Sequence, residues 1–123
     1  MRERKLDTRG SILRISIIVI LMLLGSSACA ALTPDAPMDV VATPRSNNEI
    51  LLKWTPLPDA NEYEILRREG ESGPFQVLGR MERQASSLLN TGLKTRTKYF
   101  FKLRACNRAG CSGYSEEVSA ETR

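Results

Sequence analysis

From Met38 onward the hydrophobic positions recur at every second residue, with no helical period sustained beyond a turn or two. A period of two marks strands that bury one face. The clearest case is TKYFFKLRACN, where Tyr99, Phe101, Leu103 and Ala105 alternate with Lys98, Phe100, Lys102 and Arg104. EILLKW places Ile50, Leu52 and Trp54 on one side, and EYEILRR sets Tyr63 and Ile65 against Glu62, Glu64 and Leu66. MDVVAT, FQVLGR, ASSLLNTGL (ending at Asn90 or Thr91) and GYSEEVSAET, with Val118 and Ala120 inward, complete a set of seven strands. The turn-forming stretches SNNE, TPLPDAN and GESGP separate them. Such spacing predicts an all-β fold, a seven-stranded antiparallel sandwich. A body of about ninety residues can bury a core of its own, with modest stability.

The N-terminal quarter follows a different pattern. RERKLDTRG precedes the apolar run ISIIVILMLLG (15–25), and SSACAA follows. A basic region, an apolar region and small residues, in that order, form the layout of a secretory signal peptide. Three fates fit it. Ala28-Cys29-Ala30 has the small-residue spacing for cleavage after Ala30. Ser27-Ala28-Cys29 resembles the end of a bacterial lipobox that lipidates Cys29, although Ser26 stands where leucine is usual. The mostly apolar stretch 15–32 also reaches the lower length limit for a retained membrane anchor. The expected organisation is a leader over 1–30, a short proline-containing linker over 31–37 and a domain over 38–123.

The charge balance changes once the leader is set apart. The whole chain carries a formal +4, which on its face suits a nucleic-acid binder. Residues 1–30 hold five Lys/Arg and two Asp/Glu, whereas the remaining 93 residues hold 13 against 12. The body is therefore near neutral and lacks the concentrated positive field that tracks phosphates, so no nucleic acid is expected among its partners.

The segment from Ala36 to Arg123 resembles a fibronectin type III domain, which implies a seven-stranded immunoglobulin-like antiparallel sandwich. The resemblance rests on Pro37 before the first strand, Trp54 in ILLKWTPLP, Tyr63 and Ile65 with Arg67, and Leu93 six residues before Tyr99. It continues through Tyr99-x-Phe101-x-Leu103-x-Ala105-x-Asn107 to Gly110-Cys111-Ser112 and Tyr114-Ser115. It implies that Trp54, Tyr63, Leu93 and Tyr99 belong to the core. It also implies that the Tyr99 hydroxyl bonds to nearby backbone as a tyrosine corner. The inter-sheet disulfide of immunoglobulin domains is not expected, because the EILLKW strand has no cysteine.

Catalytic chemistry finds little support. The chain has no histidine, which removes the commonest general base and the commonest neutral metal ligand. Glu62 and Glu64 would lie about 7 Å apart on one strand face. In the fold implied, however, the TKYFFKLRACN strand runs alongside, so Lys98, Lys102 and Arg104 are expected to pair with them as solvated ion pairs. The same strand's outer face interleaves Phe100 with those cations. It could stack on bases or sugars, but a solvent face with Phe100 beneath the lysine stems is the simpler reading.

Cys106 and Cys111 flank Asn107-Arg108-Ala109-Gly110. Two thiols without histidine fall short of a four-ligand zinc site, and redox pairs usually have two intervening residues and a helix N-terminus. If the last two strands of the fold form a hairpin there, the cysteines face each other at disulfide range. The expected product is a stapled hairpin in an exported protein, with Cys29 left over for lipidation or removal. These readings converge on a non-enzymatic, cofactor-free module of the cell envelope that binds a protein or glycan. Leu57 and Arg108 are its expected exposed contacts, carried by the loop Thr55–Asn61 and the hairpin tip. A structural tether, or an unrecognised enzyme or inhibitor, are the competing classes.

Overall fold

The structure is a computed structural model that describes residues 32–123. The leader, Cys29 and the expected cleavage sites lie outside the described residues. All regular structure among the described residues is strand, and the strands form two antiparallel sheets. The strands are β1 (Val41–Pro44), β2 (Ile50–Lys53), β3 (Glu62–Glu69), β4 (Gln76–Glu82), β5 (Ser87–Asn90), β6 (Lys98–Asn107), β7 (Gly110–Cys111) and β8 (Val118–Glu121). One sheet has the order β1-β2-β5. The other has the order β4-β3-β6, with both β7 and β8 paired to the far side of β6.

Two boundaries differ most from the alternation. The first strand begins at Val41 rather than Met38, because Asp39 adopts a positive φ of 56° that extended backbone cannot accommodate. The last predicted strand, GYSEEVSAET, is strand only from Val118, and a separate short strand pairs ahead of it at Gly110–Cys111. Residues 112–117 leave strand geometry between β7 and β8, so one edge of the sheet is built from two short pieces.

The core lies between the inward faces. Ile50 and Leu52 of β2 and the following Trp54 meet Tyr63 and Ile65 of β3 and Tyr99, Phe101, Leu103 and Ala105 of β6. Leu93, in the crossover before β6, closes one end. Burying side chains of this size contributes on the order of 1.5–3 kcal/mol each. Two tyrosine hydroxyls reach the core rim and accept backbone N–H bonds there. Tyr99 accepts from Lys94 at 3.0 Å, and Tyr63 accepts from Leu57 at 2.6 Å.

The outer face of the β4-β3-β6 sheet is more covered than a solvent face. Glu64 and Leu66 are buried, 5% and 8% exposed, yet neither belongs to the core cluster. The long side chains of neighbouring strands account for this. Phe75, Phe100 and Tyr114 alternate with cations across the face: Arg68 lies over Phe75 and Phe100, Lys102 over Phe75 and Tyr114, and Arg104 over Tyr114.

Candidate functional site

The end of the sandwich that carries the Thr55–Asn61 loop and the β6–β7 hairpin is built around Asn107. Strands β6 and β7 pair as Cys106↔Cys111 and Asn107↔Gly110, which leaves only Arg108 and Ala109 in the turn. The Asn107 side chain accepts the Ala109 N–H at 2.8 Å and so fixes the tip from within. Its Nδ2 donates to the carbonyls of Leu32 (2.8 Å) and Asp59 (3.3 Å). One side chain thus fastens the hairpin both to the loop and to the segment entering the domain.

Gly110 has a φ of +136°, a region that side chains rarely adopt. A Cβ there would also sit 3.4 Å from Thr33 Cγ2. The entering segment is docked rather than free, since Pro34 and Pro37 are both buried.

Cys106 and Cys111 form a disulfide across the hairpin, with Cα atoms 4.0 Å apart. Cys106 is buried at the edge of the core, while Cys111 is exposed. The loop side is tied as well: the Asn61 N–H donates to the Cys106 carbonyl at 2.8 Å, and Arg83 Nη2 donates to Asn61 Oδ1 at 3.1 Å.

Arg108 is exposed at the tip. Leu57 differs from expectation, being half-buried and packed against the core. Its backbone is held by Tyr63, and this draws the side chain inward. The surface of that loop is formed by Pro56 and Pro58 with Leu57, Arg83 and Gln84 around a shallow hollow. Arg83 and Gln84 were not singled out from sequence, because their stretch has no periodicity to place it beside the loop.

The acidic pair is also arranged differently. Only Arg104 of the three expected cations reaches it, Nε to Glu64 Oε1 at 3.1 Å, because Glu64 and Arg104 are register partners. Lys98 instead approaches Glu71 at 3.7 Å, and Lys102 rests on two aromatic rings. The second cation on the pair is Arg80 of β4, 3.3 Å from both Glu62 and Glu64. Glu64 is buried rather than solvated. Phe100 does lie beneath cations, with the Lys98 ammonium 5.1 Å and the Arg68 guanidinium 4.3 Å from its centroid. Its ring is therefore occupied from within the chain. Among the described residues no group of three or more Cys, Asp or Glu is placed to hold a metal ion.

The family model for the fibronectin type III domain matches residues 35–121, and the chain belongs to that family. It is 31% identical over 91 residues to receptor-type tyrosine-protein phosphatase S of Gallus gallus, covering 72% of this chain and 6% of that protein. It is 36% identical over 81 residues to ephrin type-A receptor 6 of Homo sapiens, covering 63% of this chain and 8% of that protein. The chain thus matches only a small part of these receptors' length. Among solved structures, a Fn3-like protein from Clostridium thermocellum superposes with a TM-score of 0.65 at 25% identity, over 75% of this chain and 96% of that one.

Proposed function

We propose that the chain is an exported, non-catalytic module of the cell envelope that binds a protein or glycan through the end formed by the Thr55–Asn61 loop and the β6–β7 hairpin. The observation that carries this reading is the fastening of the hairpin tip by Asn107 and the disulfide. A contact residue held before binding loses little conformational freedom on binding, and Arg108 sits on that prepared tip. The disulfide supports an oxidising compartment, and the receptor relatives support an extracellular binding or spacing role. The leader's layout supports export in a bacterium, with lipidation of Cys29, cleavage after Ala30 or retention as a membrane anchor as its three fates.

Intact mass of the chain recovered from expressing cells tests the location. Acyl mass on a chain beginning at Cys29, or a chain beginning at Ala31, supports export, and either is expected with two hydrogens missing for the disulfide. Unprocessed chain with free thiols overturns it. Capture of envelope proteins and glycans with wild type and with Arg108→Ala and Leu57→Ala tests the site. Equal capture by all three places the contact elsewhere, and failure to capture any ligand favours the tether.

A further inference from the structure

A second surface, which shares no lining residue with the loop end, has the chemistry of a binding groove. It runs between the segment entering β1 and the broken edge between β7 and β8, with a volume of about 450 Å³. That falls within the usual size of ligand sites, about 300–1,000 Å³. Pro37, Met38 and Val118 supply apolar lining together with Tyr114, whose ring also carries Lys102 and Arg104, 4.6 and 5.2 Å from its centroid, and is still partly exposed. Met38 and Tyr114 are 66% and 41% exposed, two of the six most exposed large hydrophobic residues among those described, and both line this one groove. Scattered single exposed apolar residues are ordinary; here two of them converge on one groove.

The charges of the groove are one-sided. Asp39 and Glu116 line it, and no lysine or arginine does. Neither carboxylate takes part in an ion pair among the described residues; Asp39 accepts only the Thr55 hydroxyl, at 3.1 Å. This contrasts with the neighbouring sheet face, where Glu62, Glu64, Glu71 and Glu117 each meet a cation. The groove is also built to stay open. Residues 112–117 are held to β6 by Ser112 and Ser115, so they do not extend a regular strand toward the entering segment.

We infer that this groove binds an extended peptide segment of a partner protein, with an apolar side chain seated against Met38 and Tyr114 and an adjacent lysine or arginine paired with Asp39 and Glu116. Charge complementarity selects this occupant. An anionic glycan or anionic lipid surface would meet two uncompensated carboxylates, and an uncharged apolar peptide would leave them unpaired.

The test is selection of a random library of displayed ten-residue peptides on the purified chain, followed by affinity measurement of the enriched sequences. Enriched peptides carry Lys or Arg beside Leu, Ile, Met or Phe, and their binding weakens as salt rises. Asp39→Asn combined with Glu116→Gln weakens them about fivefold or more. Asparagine tolerates the positive φ at this position and still accepts the Thr55 bond, so the change removes charge without disturbing the backbone. Met38→Ser weakens the same peptides, whereas Glu71→Gln and Arg108→Ala leave them unchanged. Loss on Arg108→Ala would assign the peptides to the loop end and overturn the groove. No enrichment, enrichment of acidic peptides, or equal binding by the charge-removed variant would also overturn it.

Discussion

Glu64 has a side chain only 6% exposed, yet it accepts from two guanidinium groups, Arg104 at 3.1 Å and Arg80 at 3.3 Å. Hydrogen bonds between ionised partners are stronger than neutral ones, and removing one partner leaves the remaining charges poorly compensated. Glu64→Gln keeps the shape but turns an amide toward one of the arginines, and is expected to cost about 1–3 kcal/mol in urea unfolding. Arg80→Met is expected to cost under about 1 kcal/mol, because the Arg80 side chain is 62% exposed. Equal losses from the two variants would show that burial of the carboxylate does not set its importance. At the surface, Lys94 donates to Glu69 at 2.8 Å, and this bond raises its pKa above the ordinary 10.5. A raised lysine contributes its stability fully below 10.5 and loses it as pH climbs through the higher folded value. Lys94→Met should therefore lower stability at neutral pH and meet the wild type only at the alkaline end of the profile, and convergence at neutral pH rather than at high pH would contradict the sign. The presence of charge pairing on this face was legible in the sequence, but its partners were not. A shift in the β3–β4 register between Ile65 and Leu66 brings Arg80 opposite Glu64, and alternation along a single strand carries no such information.

Between β7 and β8 the edge of the sheet is sustained by side chains. The Ala105 N–H donates to Ser112 Oγ at 2.9 Å and the Leu103 N–H donates to Ser115 Oγ at 3.0 Å, while the backbone N–H groups of both serines return bonds of 2.7 Å to the same two residues. The anchoring serines are three residues apart, whereas a strand would place equivalent contacts two apart. A hydroxyl substitutes for each missing carbonyl. Ser112→Ala and Ser115→Ala each orphan a backbone donor of a buried residue and are expected to cost about 1–2 kcal/mol in thermal or urea unfolding; losses near zero would mean that water replaces the hydroxyls. The same hairpin carries the disulfide, whose short ring stabilises by about 2 kcal/mol in the chain-entropy model. Unfolding of Cys106→Ala/Cys111→Ala measures that contribution, and an unchanged midpoint would show that the turn is already fixed by Asn107. The contrast explains what alternation could read here. β6 is evident because Tyr99, Phe101, Leu103 and Ala105 all point inward, and β8 because Val118 and Ala120 do. The intervening Ser-Gly-Tyr-Ser-Glu-Glu has no apolar phase, so its departure from strand geometry leaves no trace in a hydrophobic pattern.

The two sheets share one core, and the position of Trp54 makes their coupling measurable. It follows β2 in the three-stranded sheet, while Tyr63, whose ring centroid lies 5.6 Å away, belongs to β3 in the other. It is the chain's single tryptophan and is 4% exposed, so its fluorescence reports the seam between the sheets. Far-UV circular dichroism reports the strands themselves. The three-stranded sheet has four-residue strands and is poorly placed to persist without the face it packs on, because short ribbons are marginal in water. Loss of the seam should therefore coincide with loss of the strands, as expected of small domains that unfold in a two-state manner. Urea titration followed by both signals is expected to give superimposable curves with one midpoint. Reduction of the disulfide should move that midpoint to lower urea in both signals together. A tryptophan transition that precedes the dichroism change would instead mean that the sheets separate while β3 and β6 stay paired. The groove, walled by the segment entering β1 and by the edge between β7 and β8, would then come apart in that first transition, and its peptide binding would be lost together with the tryptophan signal.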